Sequence, residues 1–145
     1  MEILTIGFAQ KTAEQFFGAL RSAGVRRLID IRLNNTSQLA RFTKREDLPF
    51  FLSELCGAEY VHEPLLAPTQ EMLDAYKKEK GSWRDYERGF LALLRERKVE
   101  KKIPRELFSI RSVLLCSEPE PDQCHRRLVA EYLQEKWSGV KIIHL

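Results

Sequence analysis

The stretch Ser112-Val113-Leu114-Leu115-Cys116, followed by Ser117-Glu118-Pro119-Glu120-Pro121-Asp122 and then Gln123-Cys124-His125-Arg126-Arg127, decides the fold. Its first five residues are an uncharged, mostly aliphatic run. That is the pattern of a strand buried on both faces of a parallel sheet, not of a strand with one wet face. Prolines among acidic residues end the run, and Asp122 is placed to cap a helix from Gln123 to about Trp137. A buried strand that passes into a helix is half of a parallel crossover, and Val140 to Leu145 supplies the strand that completes it.

Toward the amino terminus the alternation repeats. Glu2 to Ile6 is a β-branched run stopped by Gly7, and Thr12 with Gln15 makes a capping box ahead of the apolar face Phe16, Phe17, Leu20 and Ala23. Leu28-Ile29-Asp30-Ile31 reads as a second buried strand with Arg32 at its end. Residues 33–45 are polar and aperiodic, a loop of a length that is often functional. A helix then runs from about Leu48, with Pro49 in its first turn, to Gly57, and Ala58 to His62 forms a third strand. Two helices capped by Thr69 and Ser82 and separated by Gly81 lead back to the strand at Ser112. The expected fold is α/β: a single domain over residues 1–145, with a mainly parallel sheet of about five strands flanked by helices in Rossmann-like layering.

Composition narrows the class. Of 145 residues, 43% are hydrophobic and 31% charged, which suits a packed globular domain better than a disordered chain. No apolar run approaches the roughly 20 residues that span a bilayer, and Met1 to Ile6 lacks the pattern of a signal peptide, so a cytoplasmic protein without a membrane partner is expected. Three cysteines, Cys56, Cys116 and Cys124, argue against a disulfide scaffold and leave buried thiol, reactive thiol or metal ligand. A net charge of +3 is too small to indicate nucleic acid by itself.

Ligands of open parallel sheets bind beyond the carboxyl ends of the strands. That rule selects Gly7, Asp30 to Arg32, His62 and Cys116 to Glu118, and the connection after Cys116 is the richest of these. Cys124, in the first turn of the expected helix, meets free amides and the positive end of the dipole, which lower a thiol pKa. The expected catalytic set is Cys124 as thiol with Glu118 and His125 moving protons. Arg32 and Arg126 would hold a small anionic ligand, with Asp30, Gly7 and Cys116 completing its surroundings. Plainer readings stand beside these. Cys116 and Cys56 fit packed positions, and Asp30 with Arg32 fits a loop-anchoring ion pair.

Other chemistries can be weighed on spacing. A Cys-x5-Arg phosphatase loop starting at Cys116 needs arginine at position 122, where Asp122 stands among acids that repel phosphate. The connection also contains no glycine for a Gly-rich phosphate loop. No cofactor is predicted, zinc being the alternative: Cys116, Cys124 and His125 with His62 or His144 are the right ligand types, although the spacing matches no common zinc signature. A redox pair of Cys116 and Cys124 needs Cα atoms within about 7 Å. A nucleic-acid module is a further alternative, with Arg32, Arg41, Lys44 and Arg45 around Phe42.

The chain resembles the family filed as domain of unknown function 488. The matching pieces are Thr5-Ile6-Gly7, Asp30-Ile31-Arg32 with Ser37 beyond it, Phe42, Tyr60, Cys116-Ser117-Glu118 and Cys124-His125-Arg126, in order and nearly end to end. It departs at Phe8-Ala9, at Asn35 and at Leu65-Leu66-Ala67. The resemblance implies an α/β domain with one clustered site and brings no reaction with it.

Overall fold

The structure is a computed structural model that describes residues 1–145. Five strands, β1 (Glu2–Gly7), β2 (Arg27–Asp30), β3 (Glu59–His62), β4 (Ser112–Cys116) and β5 (Lys141–His144), form one sheet in the order β3-β2-β4-β1-β5. Every pairing is parallel, so the sheet is wholly rather than mainly parallel. The helices are α1 (Ala13–Ser22), α2 (Leu48–Cys56), α3 (Gln70–Lys77), α4 (Trp83–Arg97), α5 (Val99–Lys102) and α6 (His125–Lys136). No helix is long and apolar enough to cross a membrane.

Alternation along the strands splits the core into two layers. Leu4, Ile6, Leu28, Val113 and Leu115 meet α1 and α2 through Phe16, Phe17, Leu20, Leu48 and Leu52. Their neighbours Ile3, Ile29 and Leu114 meet α4 and α6 through Phe90, Leu94, Leu128, Val129 and Leu133. Successive side chains on a strand point to opposite faces, so one apolar run feeds both layers.

This layering places the site. The crossover from β1 through α1 to β2 covers one face, and the crossover from β4 through α6 to β5 covers the other. β1 and β4 are neighbours, with Gly7 paired to Cys116 at their carboxyl ends. Connections that leave adjacent strands on opposite faces open a crevice there, which is where ligands of such sheets bind. Gly7 has no substitute at this point, because a Cβ would fall on the Glu118 carbonyl and the Arg126 guanidinium.

The expected helix start after β4 is corrected. Asp122 does not cap α6; Cys124 is the N-cap, extended at φ −140° and ψ 140°, and the helix begins at His125. The Cys124 amide donates to the Pro121 carbonyl at 3.2 Å, closing a turn that uses the residues expected to start the helix. The polar loop after β2 contains a short helical segment at Gln38–Thr43. The basic stretch before β4 forms the extra turn α5.

Candidate thiol–imidazole site

Three side chains converge at the end of β4. The Cys116 and Cys124 sulfurs are in contact, on Cα atoms 7.4 Å apart, just beyond the span of about 7 Å that a redox pair needs. His125 Nδ1 lies 3.5 Å from Cys116 Sγ, and its Nε2 lies 2.7 Å from the Ile31 carbonyl oxygen. A carbonyl only accepts, so Nε2 carries the ring hydrogen and Nδ1 presents a lone pair to sulfur. Burial, with the Arg126 charge adding to it, pushes the imidazole pKa down to about 4 against the opposing Ile31 hydrogen bond and the Asp30 and Glu118 charges. The ring is therefore neutral at pH 7, held edge-on against Phe90 at 5.4 Å between centroids.

A cleft of about 470 Å³ opens beside this cluster. The sheet side contributes Cys116, Glu118, Cys124 and His125. The helical side contributes an aromatic wall of Tyr76, Trp83 and Tyr86, whose rings stand 5.0 to 5.8 Å apart. Tyr86 is 7% exposed and its hydroxyl bonds to no protein group; because no buried side-chain oxygen is left without a partner, that hydroxyl reaches the open cleft. Burial, with Tyr76 and Glu118 nearby, raises its pKa and keeps it a neutral donor. Lys77 meets the Glu118 carboxylate at 2.8 Å, both side chains being largely exposed.

The loop between β4 and α6 is held from below. The Arg126 guanidinium, fully buried, donates to the Glu118 and Pro119 carbonyls and to Thr5 Oγ1. Its positive charge stands beneath a loop carrying Glu118 and Glu120, while burial lowers its pKa to about 10. The backbone N–H groups of His125 and Arg126 have no acceptor within the protein, as is usual for first-turn amides, and Cys124 as N-cap makes no side-chain hydrogen bond to them.

Beside the cluster, the end of β2 carries a closed polar network. The Asp30 carboxylate, wholly buried, accepts from Arg32 Nε at 2.8 Å and Nη2 at 2.9 Å, from Tyr60 Oη at 2.6 Å, and from Asn35 Nδ2 at 3.1 Å. Arg32 also donates from Nη1 to the Thr43 hydroxyl and from Nη2 to the Thr43 carbonyl, which leaves one Nη1–H without a protein acceptor. Burial opposes the charged form of Asp30, but these hydrogen bonds and the Arg32 charge outweigh it and hold the pKa below the ordinary value.

Among the residues selected from sequence, Cys116, Cys124, His125, Glu118 and Arg32 border one cleft. Arg126 and Gly7 lie under the loop, and Asp30 stands behind Arg32. The fourth zinc ligands considered are committed elsewhere: His62 Nε2 to the Arg32 carbonyl at 3.2 Å, and His144 Nδ1 to the Thr5 hydroxyl at 2.6 Å. Phe42 packs on Phe16 and Phe17 with Arg41 over its other side. The aromatic wall was not among the expected site residues. Its helical spacing is that of an ordinary core stripe, and only the unpartnered Tyr86 hydroxyl sets it apart.

Fold and site define the class: an α/β protein with an all-parallel five-stranded sheet and a cysteine–histidine cluster at its topological switch point. Residues 12–133 match the family described as Domain of unknown function DUF488, and the chain belongs to that family. Comparisons with curated proteins and with solved structures gave no match.

Proposed function

We propose that the chain is a cleft enzyme working by thiol–disulfide exchange with a small ligand bound between the aromatic wall and the end of β4. The observation that carries this reading is the meeting of two sulfurs and an imidazole lone pair at the edge of the cleft. Cys124 is the attacking thiol, because the free amides of His125 and Arg126 favour its thiolate. Its sulfur attacks one sulfur of a low-molecular-weight disulfide, forming a mixed disulfide and releasing one thiolate. Cys116 then attacks Cys124 Sγ while its proton passes across the His125 Nδ1 contact to the departing ligand sulfur, with no free imidazolium formed on a ring held neutral. The protein disulfide forms and the second ligand thiol leaves. Two protein thiols are oxidised as one external disulfide is reduced, and the reverse sequence runs with an external thiol in excess.

In this scheme Arg32 borders the ligand while its charge is balanced by Asp30, and Gly7 with Arg126 keeps the loop and Cys124 in place. Glu118, with Lys77, sets the charge at the mouth for an anionic ligand. The experiment is to incubate the reduced protein with glutathione disulfide and map the thiols by alkylation and mass spectrometry. Cys116 and Cys124 should be lost together, the Cys116→Ser variant should trap a mixed disulfide at Cys124, and Cys124 alkylation should have its pH midpoint below the free-thiol value of about 8.5. A midpoint at or above that value, with both thiols left free, refutes the reading.

A further inference from the structure

We propose that, when both sulfurs are reduced, Cys116, Cys124 and His125 bind one zinc ion or another thiophilic divalent cation, with the fourth coordination position open to the cleft. This goes beyond thiol exchange, which needs no metal.

The two sulfurs and the His125 nitrogen lie within 4.8 Å of one another, and all three residues are buried. Zinc bonds of about 2.3 Å to sulfur and 2.0–2.1 Å to nitrogen, at tetrahedral angles, set a sulfur and a nitrogen roughly 3.5 Å apart. Cys116 Sγ and His125 Nδ1 are separated by 3.5 Å. The imidazole is also oriented as a ligand. Its Nε2–H donates to the Ile31 carbonyl at 2.7 Å, the outer bond by which metal-bound histidines fix their tautomer, and this leaves the Nδ1 lone pair facing the sulfurs.

The backbone favours separable sulfurs. The Cα atoms of Cys116 and Cys124 stand 7.4 Å apart. Disulfides usually span about 4.4–6.8 Å, whereas two thiolates on a tetrahedral zinc keep their sulfurs about 3.8 Å apart. Reduction therefore lets the sulfurs part without moving the elements that carry them. Two thiolates also balance a divalent charge, as a buried site requires.

No fourth protein ligand joins the group, since His62 and His144 are engaged by Arg32 and Thr5. Three protein ligands and one free position are the pattern of a catalytic rather than a structural zinc site. The free position faces the cleft that Tyr86 borders with a hydroxyl lacking any partner in the protein.

The test is titration of the reduced full-length protein with cobalt(II) alone. One equivalent should bind with near-ultraviolet thiolate-to-metal bands and visible bands of tetrahedral intensity, and zinc should displace it. Cys116→Ser and Cys124→Ser should each remove about half of the thiolate band, and His125→Ala should weaken binding at least about tenfold. In the unsubstituted protein, zinc should slow alkylation of Cys116 and Cys124 but not of Cys56. No band in cobalt excess, a full band in either cysteine variant, or unchanged alkylation under zinc overturns the proposal. If glutathione disulfide oxidises the pair but cobalt gives no band, only the metal site fails. If cobalt binds but the pair resists the disulfide, only the exchange reading fails.

Discussion

Two polar clusters sit side by side at the carboxyl rim, at the ends of β2 and β4, equally buried and differently built. Around Asp30 the carboxylate accepts from Arg32, Asn35 and Tyr60, and Arg32 donates twice more to Thr43. Around Cys116 the imidazole has one nitrogen anchored and the other turned toward a sulfur pair beside a cleft. A buried charge survives only where it is paired and hydrogen-bonded, so the first cluster is given over almost wholly to its own two charges, with one Arg32 Nη1–H left over. The second holds neutral and polarisable groups that tolerate an open neighbour. Depth in the fold does not mark a site; uncommitted donors and acceptors do.

The sharpest way to break this contrast is to remove one member from each side. Asp30→Ala leaves the Arg32 guanidinium buried without its counter-charge and should cost about 3–5 kcal/mol in urea unfolding. Cys124→Ala, compared under reducing conditions, removes one polarisable atom and should cost about 1 kcal/mol. Equal losses would make the thiol cluster as structural as its neighbour.

His125 separates the clusters by pH. The folded protein keeps the imidazole neutral down to about 4, because burial, helped by the Arg126 charge, disfavours the cation. The unfolded chain takes up that proton near 6.5. Between these values the unfolded state binds more protons, so stability falls as pH drops through the window, by about 3 kcal/mol in all. Asp30, whose folded pKa is depressed, contributes stability present above its unfolded value of about 3.9 and lost only below it. Urea midpoints from pH 7 to 4 should therefore slope in the native protein and slope less in His125→Gln, where His144, also lowered by burial and by Arg126, keeps a residual slope. A slope unchanged by the substitution assigns the proton to another group.

The sequence carried one cluster more openly than the other. Asp30 is the last residue of β2 and Arg32 follows two positions on, so continuing the strand's alternation puts both on one face and makes their pairing readable. The apolar runs of β1, β2 and β4 announce a parallel sheet for the same local reason. Pairing of Cys116 with Cys124 follows from no such rule. It depends on the path of residues 117–123, which is set by Arg126 reaching back to the Glu118 and Pro119 carbonyls and by a turn from Pro121 to Cys124. Asp122 misleads for that reason: its side chain is that of a cap, but the turn consumes its place. Tyr86 lies on an inner helical face as its spacing predicts, and the missing partner of its hydroxyl is a three-dimensional fact.

The smallest expected effect concerns Glu118, which belongs to both descriptions. Its carbonyl is fastened to Arg126 inside the loop, while its carboxylate pairs with Lys77 in solvent at the mouth of the cleft. Exposed ion pairs contribute little, so Glu118→Gln should change stability by no more than about 0.5 kcal/mol. Its charge is felt at the neighbouring imidazole, where it opposes the fall in the His125 pKa, and both cysteines line the same cleft. A carboxylate near a thiolate disfavours it, and removing that charge also frees Lys77 to favour it. The pH midpoint of Cys124 alkylation should therefore move downward in Glu118→Gln, by less than about one unit, with urea unfolding unchanged. A midpoint that stays put reduces the carboxylate to a surface ion pair and leaves the cleft chemistry to the two sulfurs and His125. A midpoint that moves upward means that Glu118 takes the thiol proton itself, the role its place after Cys116 first suggested.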